Sequence, residues 1–186
     1  MLVQADHNST PAPERCLQLY RKLAGGVTIL SAEAATGPVG LTASTVTSLS
    51  MHPPLLLAGL TVGSYTLAAI EQRRAFGIHL LAEQQQDLAE DFASPTGPRF
   101  RGHDHHYVFG VPMLRDTLAW AVCFLTDARR YGDHVLIVGE VAAVGVADGH
   151  PLIWHNRSFG RLRGYRAVDS TADPHDERWN ELWNGT

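Results

Sequence analysis

The chain has 186 residues, 45% of them hydrophobic and 18% charged, with a formal net charge of −4. That suits one globular domain with a sizeable core and excludes a basic nucleic-acid face. No apolar run reaches the ~20 residues of a membrane-spanning helix, and no basic segment followed by an apolar run opens the chain, so a cytoplasmic protein without a secretory signal is expected.

Residues 1–12 are polar and read as a flexible segment, 13–167 as the folded domain and 168–186 as a polar, acidic tail. Glu14–Ala24 is predicted to be a helix, with Cys16, Leu19, Tyr20 and Leu23 in one apolar stripe and Gly25-Gly26 as its stop. Val27–Ala32 is a short β-branched strand, and Thr36-Gly37-Pro38 a turn. Val39–Thr47 reads as one strand. Pro53-Pro54 cannot lie inside a central strand and fixes the chain before a buried strand at Leu55–Leu60. A short helix at Ser64–Ile70 has Ser64 as its N-cap.

Phe76–Leu81 is a strand with Phe76, Ile78 and Leu80 on one face. Gln84–Phe92 is a helix, and Ser94–Gly110 a long Gly/Pro/His loop of the kind that carries function. Two long strands follow at Leu118–Arg130 and His134–Val146, joined by a turn at Tyr131-Gly132-Asp133. Both are apolar on both faces, as expected where a helix or a partner subunit covers them. Pro151–Trp154 and Ser158–Phe159 form a last strand pair. In the tail, Trp179, Leu182 and Trp183 fall on one helical face, which is expected to pack on the dimer.

About six or seven strands with short turns, and two or three inserted helices, point to a mainly β fold: a closed or partly closed antiparallel barrel with flanking helices. No GxGxxG or GxxxxGK[ST] motif is present, so neither dinucleotide-binding α/β reading has support. Cys16 and Cys123 form no metal spacing or redox pair and read as reduced thiols. His103, Asp104, His105 and His106 lack Cys partners and read as polar surface, so no metal is expected. Glu140 reads as a structural carboxylate.

The run from Gly37 to Leu57 is small, hydroxyl-rich and almost uncharged. Thr42, Ser44, Thr45 and Ser48 can donate to a phosphate or a polyol, and small residues permit close approach to the backbone. Five segments stand in order along the chain, the second and third of them within that run: Gly26-Val27-Thr28-Ile29-Leu30, Pro38–Ser44, Ser48-Leu49-Ser50 with Pro53-Pro54-Leu55, Phe76–Leu81 with Gln85, Gln86 and Leu88, and Gly132-Asp133-His134 before Gly139-Glu140-Val141. In these segments, from about Leu17 to Phe159, the chain resembles the short-chain flavin reductases. Their fold is the FMN-binding split barrel, a Greek-key antiparallel barrel.

That resemblance implies a homodimer that reduces FMN or FAD with NADH or NADPH and releases reduced flavin to a separate monooxygenase, with no nucleic-acid or membrane partner. By position, Pro38, Val39, Gly40, Leu41, Thr42, Ser44 and Thr45 would line the isoalloxazine and ribityl chain. Gly59, Leu60, Thr61, Ser64 and Thr66 would meet the phosphate end. Arg99 would lie near phosphate, Phe100 near flavin or nicotinamide, and His134, the catalytic candidate, near the nicotinamide. His79 stands where many relatives carry Asn. Hydride transfer between stacked rings requires alignment and backbone donors rather than a triad or carboxylate pair. The alternative reading is a flavin- or haem-binding split barrel without free-flavin reductase activity.

Overall fold

The computed structural model describes residues 10–163. The expectations for residues 1–9, for the tail and for the Trp179–Trp183 face therefore lie outside the described residues. In chain order the elements are α1 (Pro13–Tyr20), β1 (Gly25–Gly26), β2 (Thr28–Ala34), β3 (Gly37–Ala43), β4 (Val46–Met51), β5 (Pro54–Thr61), α2 (Tyr65–Arg73) and β6 (Ala75–Leu80). They continue with α3 (Gln86–Ala93), a 3-10 turn at Arg99–Arg101, β7 (His105–Val108), β8 (Val111–Leu114), β9 (Ala119–Tyr131), β10 (His134–Val146), β11 (Leu152–His155) and β12 (Ser158–Arg161).

Seven strands form one antiparallel sheet in the order β3-β2-β6-β9-β10-β5-β4. Its two outermost strands, β3 and β4, are consecutive in the chain and separated only by Ser44 and Thr45. The three Cα steps from Ala43 to Val46 span at most ~11 Å, so the two edges must meet there and the sheet must curl on itself. The result is a barrel that is open along one seam, with the Ser44-Thr45 link at that seam. The expectation of a single strand over Val39–Thr47 is corrected accordingly. The chain bends at Ser44, and Gly59 N donates to Thr45 O at 3.1 Å on the β5 side of the seam.

The barrel interior takes one side-chain parity from each strand: Leu30, Leu60, Phe76, Ile78 and Ile137 are at most 1% exposed. Helix α2 closes it with Leu67 and Ile70. Ser64 caps that helix, its Oγ accepting from Leu67 N at 3.1 Å. The helix runs one turn beyond the expected Ile70, to a left-handed Arg74 whose N–H donates to Ile70 O.

A second core lies on the outer face of β2, where Ile29 and Val27 meet Phe92 of α3, Phe100 and Leu152. The three-stranded sheet β1-β11-β12 covers it. Gly25 and Gly26 therefore do more than stop a helix: they pair with Trp154 and Ile153 of β11. A third core, Ala75, Val111, Met113 and Val122, lies under the β7–β8 hairpin. That hairpin, with the 3-10 turn, occupies the stretch expected to be loop from Ser94 to Gly110, and β8 continues it to Leu114.

Strand β6 is buried on both faces except at its end, where Leu80 is 38% exposed and Leu81 enters the second core instead. The expected apolar stripe of α1 finds no cover in the single chain: Leu19, Tyr20 and Leu23 are all exposed, and α1 itself ends at Tyr20 rather than Ala24. The far half of β10 likewise leaves one face open, with Val144 and Val146 exposed and Glu140 in the same exposed row. Among the described residues no helix is long and apolar enough to cross a membrane.

Candidate functional site

At the seam, the end of β3, the Ser44-Thr45 link and the end of β5 enclose a cleft of about 300 Å³. Its β-strand walls are Leu41, Thr42, Ala43, Ser44 and Thr45 on one side and Gly59, Leu60 and Thr61 on the other. The remaining wall is Phe92 and Ala93, at the end of α3, together with Arg99. A second cleft of about 240 Å³ abuts it, sharing Thr42, Ala43, Ser44 and Ala93 and bounded by Val27, Trp154 and Phe159.

Hydroxyl chemistry divides these residues. The Thr42 hydroxyl donates to Ala89 O at 2.6 Å, tying β3 to α3. The Thr45 hydroxyl donates to Gly59 O at 2.7 Å, tying the link to β5. Both protons are thus committed inside the protein, and these two side chains offer a ligand only acceptor lone pairs. The Ser44 hydroxyl and the backbone N–H groups of Ser44 and Thr45 have no partner among the described residues. They are uncommitted donors on residues that line the seam.

The cleft is not uncharged, as the Gly37–Leu57 run alone implied. Arg99 sits at φ 47°, a left-handed conformation uncommon for a side chain of its size. Its Nη2 donates to Ser94 O at 3.0 Å. Its Nε is buried with no hydrogen-bond partner. No carboxylate lines the cleft. An unpartnered guanidinium N–H beside free backbone donors is the chemistry of an anion site.

The structure brings together Leu41, Thr42, Ser44, Thr45, Gly59, Leu60, Thr61 and Arg99 from the expected set. Others stand apart from it. Pro38 pairs with Glu33 at the far end of β3, and Val39 packs on the barrel core. Gly40 is filled over by the protein itself: a Cβ there would lie 2.8 Å from Leu30 O, 3.0 Å from the Phe92 ring and 3.1 Å from the Phe100 ring. Thr66 is 3% exposed on the core side of α2. Phe100 is buried in the second core, edge-on to Phe92 at 5.1 Å.

His134 opens β10 directly opposite Thr61. Its Nδ1 lies 2.8 Å from an Asp133 carboxylate oxygen, and its side chain is 44% exposed. That hydrogen bond and the imidazole charge hold the Asp133 carboxyl below its ordinary value. With Nδ1–H donating to Asp133, Nε2 is the ring atom left without a partner; His134 does not itself line the cleft but pairs with Thr61, which does.

Ala43, Phe92 and Ala93 also line the cleft, and the sequence did not mark them. The helix Gln84–Phe92 ends immediately before the loop that holds Arg99, and that adjacency was the available signal. The histidine run makes no metal cluster among the described residues. His103 Nε2 instead pairs with Asp91 at 2.8 Å, and His105 packs edge-on to Phe100 at 5.1 Å.

Comparison with known proteins places the fold and the cleft in context. Residues 20–163 match the model of the flavin reductase like domain, and the chain belongs to that family. It is 35% identical over 159 residues to the reductase component of 4-nitrophenol 4-monooxygenase/4-nitrocatechol 2-monooxygenase from Rhodococcus opacus, covering 82% of this chain and 86% of that one. It is 32% identical over 148 residues to an NADH:FMN oxidoreductase from Rhodococcus qingshengii, covering 76% and 77%. Among solved structures, a flavin reductase domain protein from Arthrobacter sp. FB24 superposes with a TM-score of 0.78 at 28% identity, covering 84% of this chain and 99% of that one. The fold is therefore the split barrel of the flavin reductases.

Proposed function

We propose that the protein is an NAD(P)H:flavin oxidoreductase that reduces FMN or FAD by hydride transfer and supplies the reduced flavin to a partner monooxygenase. The observation that carries this reading is the pairing of an open seam cleft with the buried, unpartnered Nε of Arg99. The donor set suits a flavin phosphate: the Arg99 guanidinium, the Ser44 hydroxyl and the Ser44 and Thr45 backbone N–H groups all belong to residues that line the same cleft. Relatives that are themselves a monooxygenase reductase component and an NADH:FMN oxidoreductase support the same activity.

A bound flavin supplies the hydride-accepting chemistry. The protein's own contribution is alignment and charge. Ser44, Thr45 and Arg99 hold the anionic end. The strand ends at Leu41–Ala43 and Gly59–Thr61 provide a flat, mostly uncharged wall for the ring system. His134, oriented by Asp133, holds the nicotinamide amide against that wall, with Nε2 as the contacting atom. The protein acts in the cytoplasm as a homodimer, whose second copy covers the apolar outer face left open along β10.

The direct test measures NADH and NADPH consumption with and without added FMN or FAD. Oxidation that requires added flavin is the expected result. No consumption with either nicotinamide at any flavin concentration contradicts the proposal.

A further inference from the structure

We infer that the second cleft is a purine subsite, built to take the adenine of FAD and so to favour FAD over FMN. This rests on the flavin reading above and assigns it a preferred flavin. FAD is FMN joined through its phosphate to AMP, so a protein that recognises the whole molecule needs a diphosphate site with a separate pocket on either side of it. The seam has that layout. Ser44, whose hydroxyl and N–H are free donors, lines both clefts, and so does Ala93, at the end of α3 from which the loop leads on to Arg99. A diphosphate bound at that junction would direct one arm into the seam cleft and the other into the cleft bounded by Trp154 and Phe159.

The chemistry of the second cleft matches a purine rather than a sugar or an anion. No charged side chain lines it. Its outer wall is an indole and a phenyl ring, 4.9 Å apart and inclined at 65°. The two residues are direct cross-strand partners in β11 and β12. The turn between those strands, Asn156-Arg157, has both residues left-handed at φ 50° and 63°, the tight two-residue form that fixes hairpin register. The aromatic wall is therefore held in place before any ligand arrives. Aromatic walls of this kind stack on bases without reading their edges.

Isothermal titration of the full chain with FMN and with FAD tests the subsite. Trp154→Ala is expected to weaken FAD binding about tenfold, or ~1.4 kcal/mol, while FMN affinity stays within about twofold. Trp154→Phe, which keeps a ring in place, should retain most of the FAD affinity. Phe159→Leu keeps the apolar cover of the second core and should also lower FAD selectively, which guards against a Trp154→Ala chain that does not fold. An equal loss for both flavins, or an unchanged FAD affinity in the variants, overturns the inference. Failure of the wild-type chain to bind either FMN or FAD would instead overturn the flavin reading itself.

Discussion

The guanidinium of Arg99 is anchored at one nitrogen by Ser94 and leaves a second nitrogen buried and unpartnered. A charge-assisted hydrogen bond from the Arg99 guanidinium to a phosphate is worth about 1.5–3 kcal/mol. Arg99→Gln should therefore weaken FMN binding by roughly ten- to a hundredfold and leave riboflavin, which lacks the phosphate, nearly unchanged. Fluorescence titration of both ligands decides it, and parallel losses would place Arg99 in a purely structural role. His79 makes the second prediction at this scale. It is fully buried, its Nε2–H donates to Ser31, and Ser31 in turn donates to Pro112 O. Burial, with the nearby His106 charge, pushes its pKa from 6.5 down to about 3. The unfolded chain takes up a proton below 6.5 and the native chain does not, so stability is fully present above 6.5 and falls as pH drops toward about 3, by up to ~1.4 kcal/mol per pH unit. His79→Asn removes that slope; denaturation curves with the same pH dependence in both proteins would contradict it. Arg99 and His134 were marked in the sequence by the family resemblance. The internal use of the Thr42 and Thr45 hydroxyls was not, because their acceptors, Ala89 and Gly59, are distant in the chain.

At the scale of elements, β10 was legible to the residue: Gly132 fixes the turn before it and the apolar run is long enough to define both ends. The break between β3 and β4 was not legible. Thr42 to Thr47 have unbroken strand propensity, and the bend at Ser44 is imposed by closure of the sheet rather than by any local breaker. The β7–β8 hairpin was also hidden, since His105-His106 lack strand preference and the hairpin is stabilised by Met113 and Val111 packing on Ala75 and Val122. Gly40 shows how packing between elements fixes a residue. Gly40→Ala drives a methyl against Leu30 O and the Phe92 and Phe100 rings, so β3 and α3 must separate or the rings must move. The expected cost is about 1–3 kcal/mol, read as a lower Tm; an unchanged Tm would mean that α3 yields freely.

For the whole molecule, the sequence indicated a barrel through its strand count and turns, and the topology supplies the reason it is split. Opposite edges of one sheet are joined by two residues, and the cleft forms where they fail to pair. One chain leaves Val144 at 62% and Val146 at 83% exposure along β10. Covering such a row with its symmetric copy is the simplest closed assembly. Sedimentation should report a dimer for the wild type and a monomer for Val144→Asp/Val146→Asp; a monomeric wild type, or a dimeric double variant, would contradict that arrangement. The central claim is that a flavin lies in the seam with its phosphate at Ser44, Thr45 and Arg99. A crystal structure of the chain grown with FMN tests it most directly. Ring density between Leu41–Ala43 and Gly59–Thr61, with the phosphate against the Arg99 guanidinium, is the expected result; an empty seam, or FMN bound elsewhere on the barrel, would refute it.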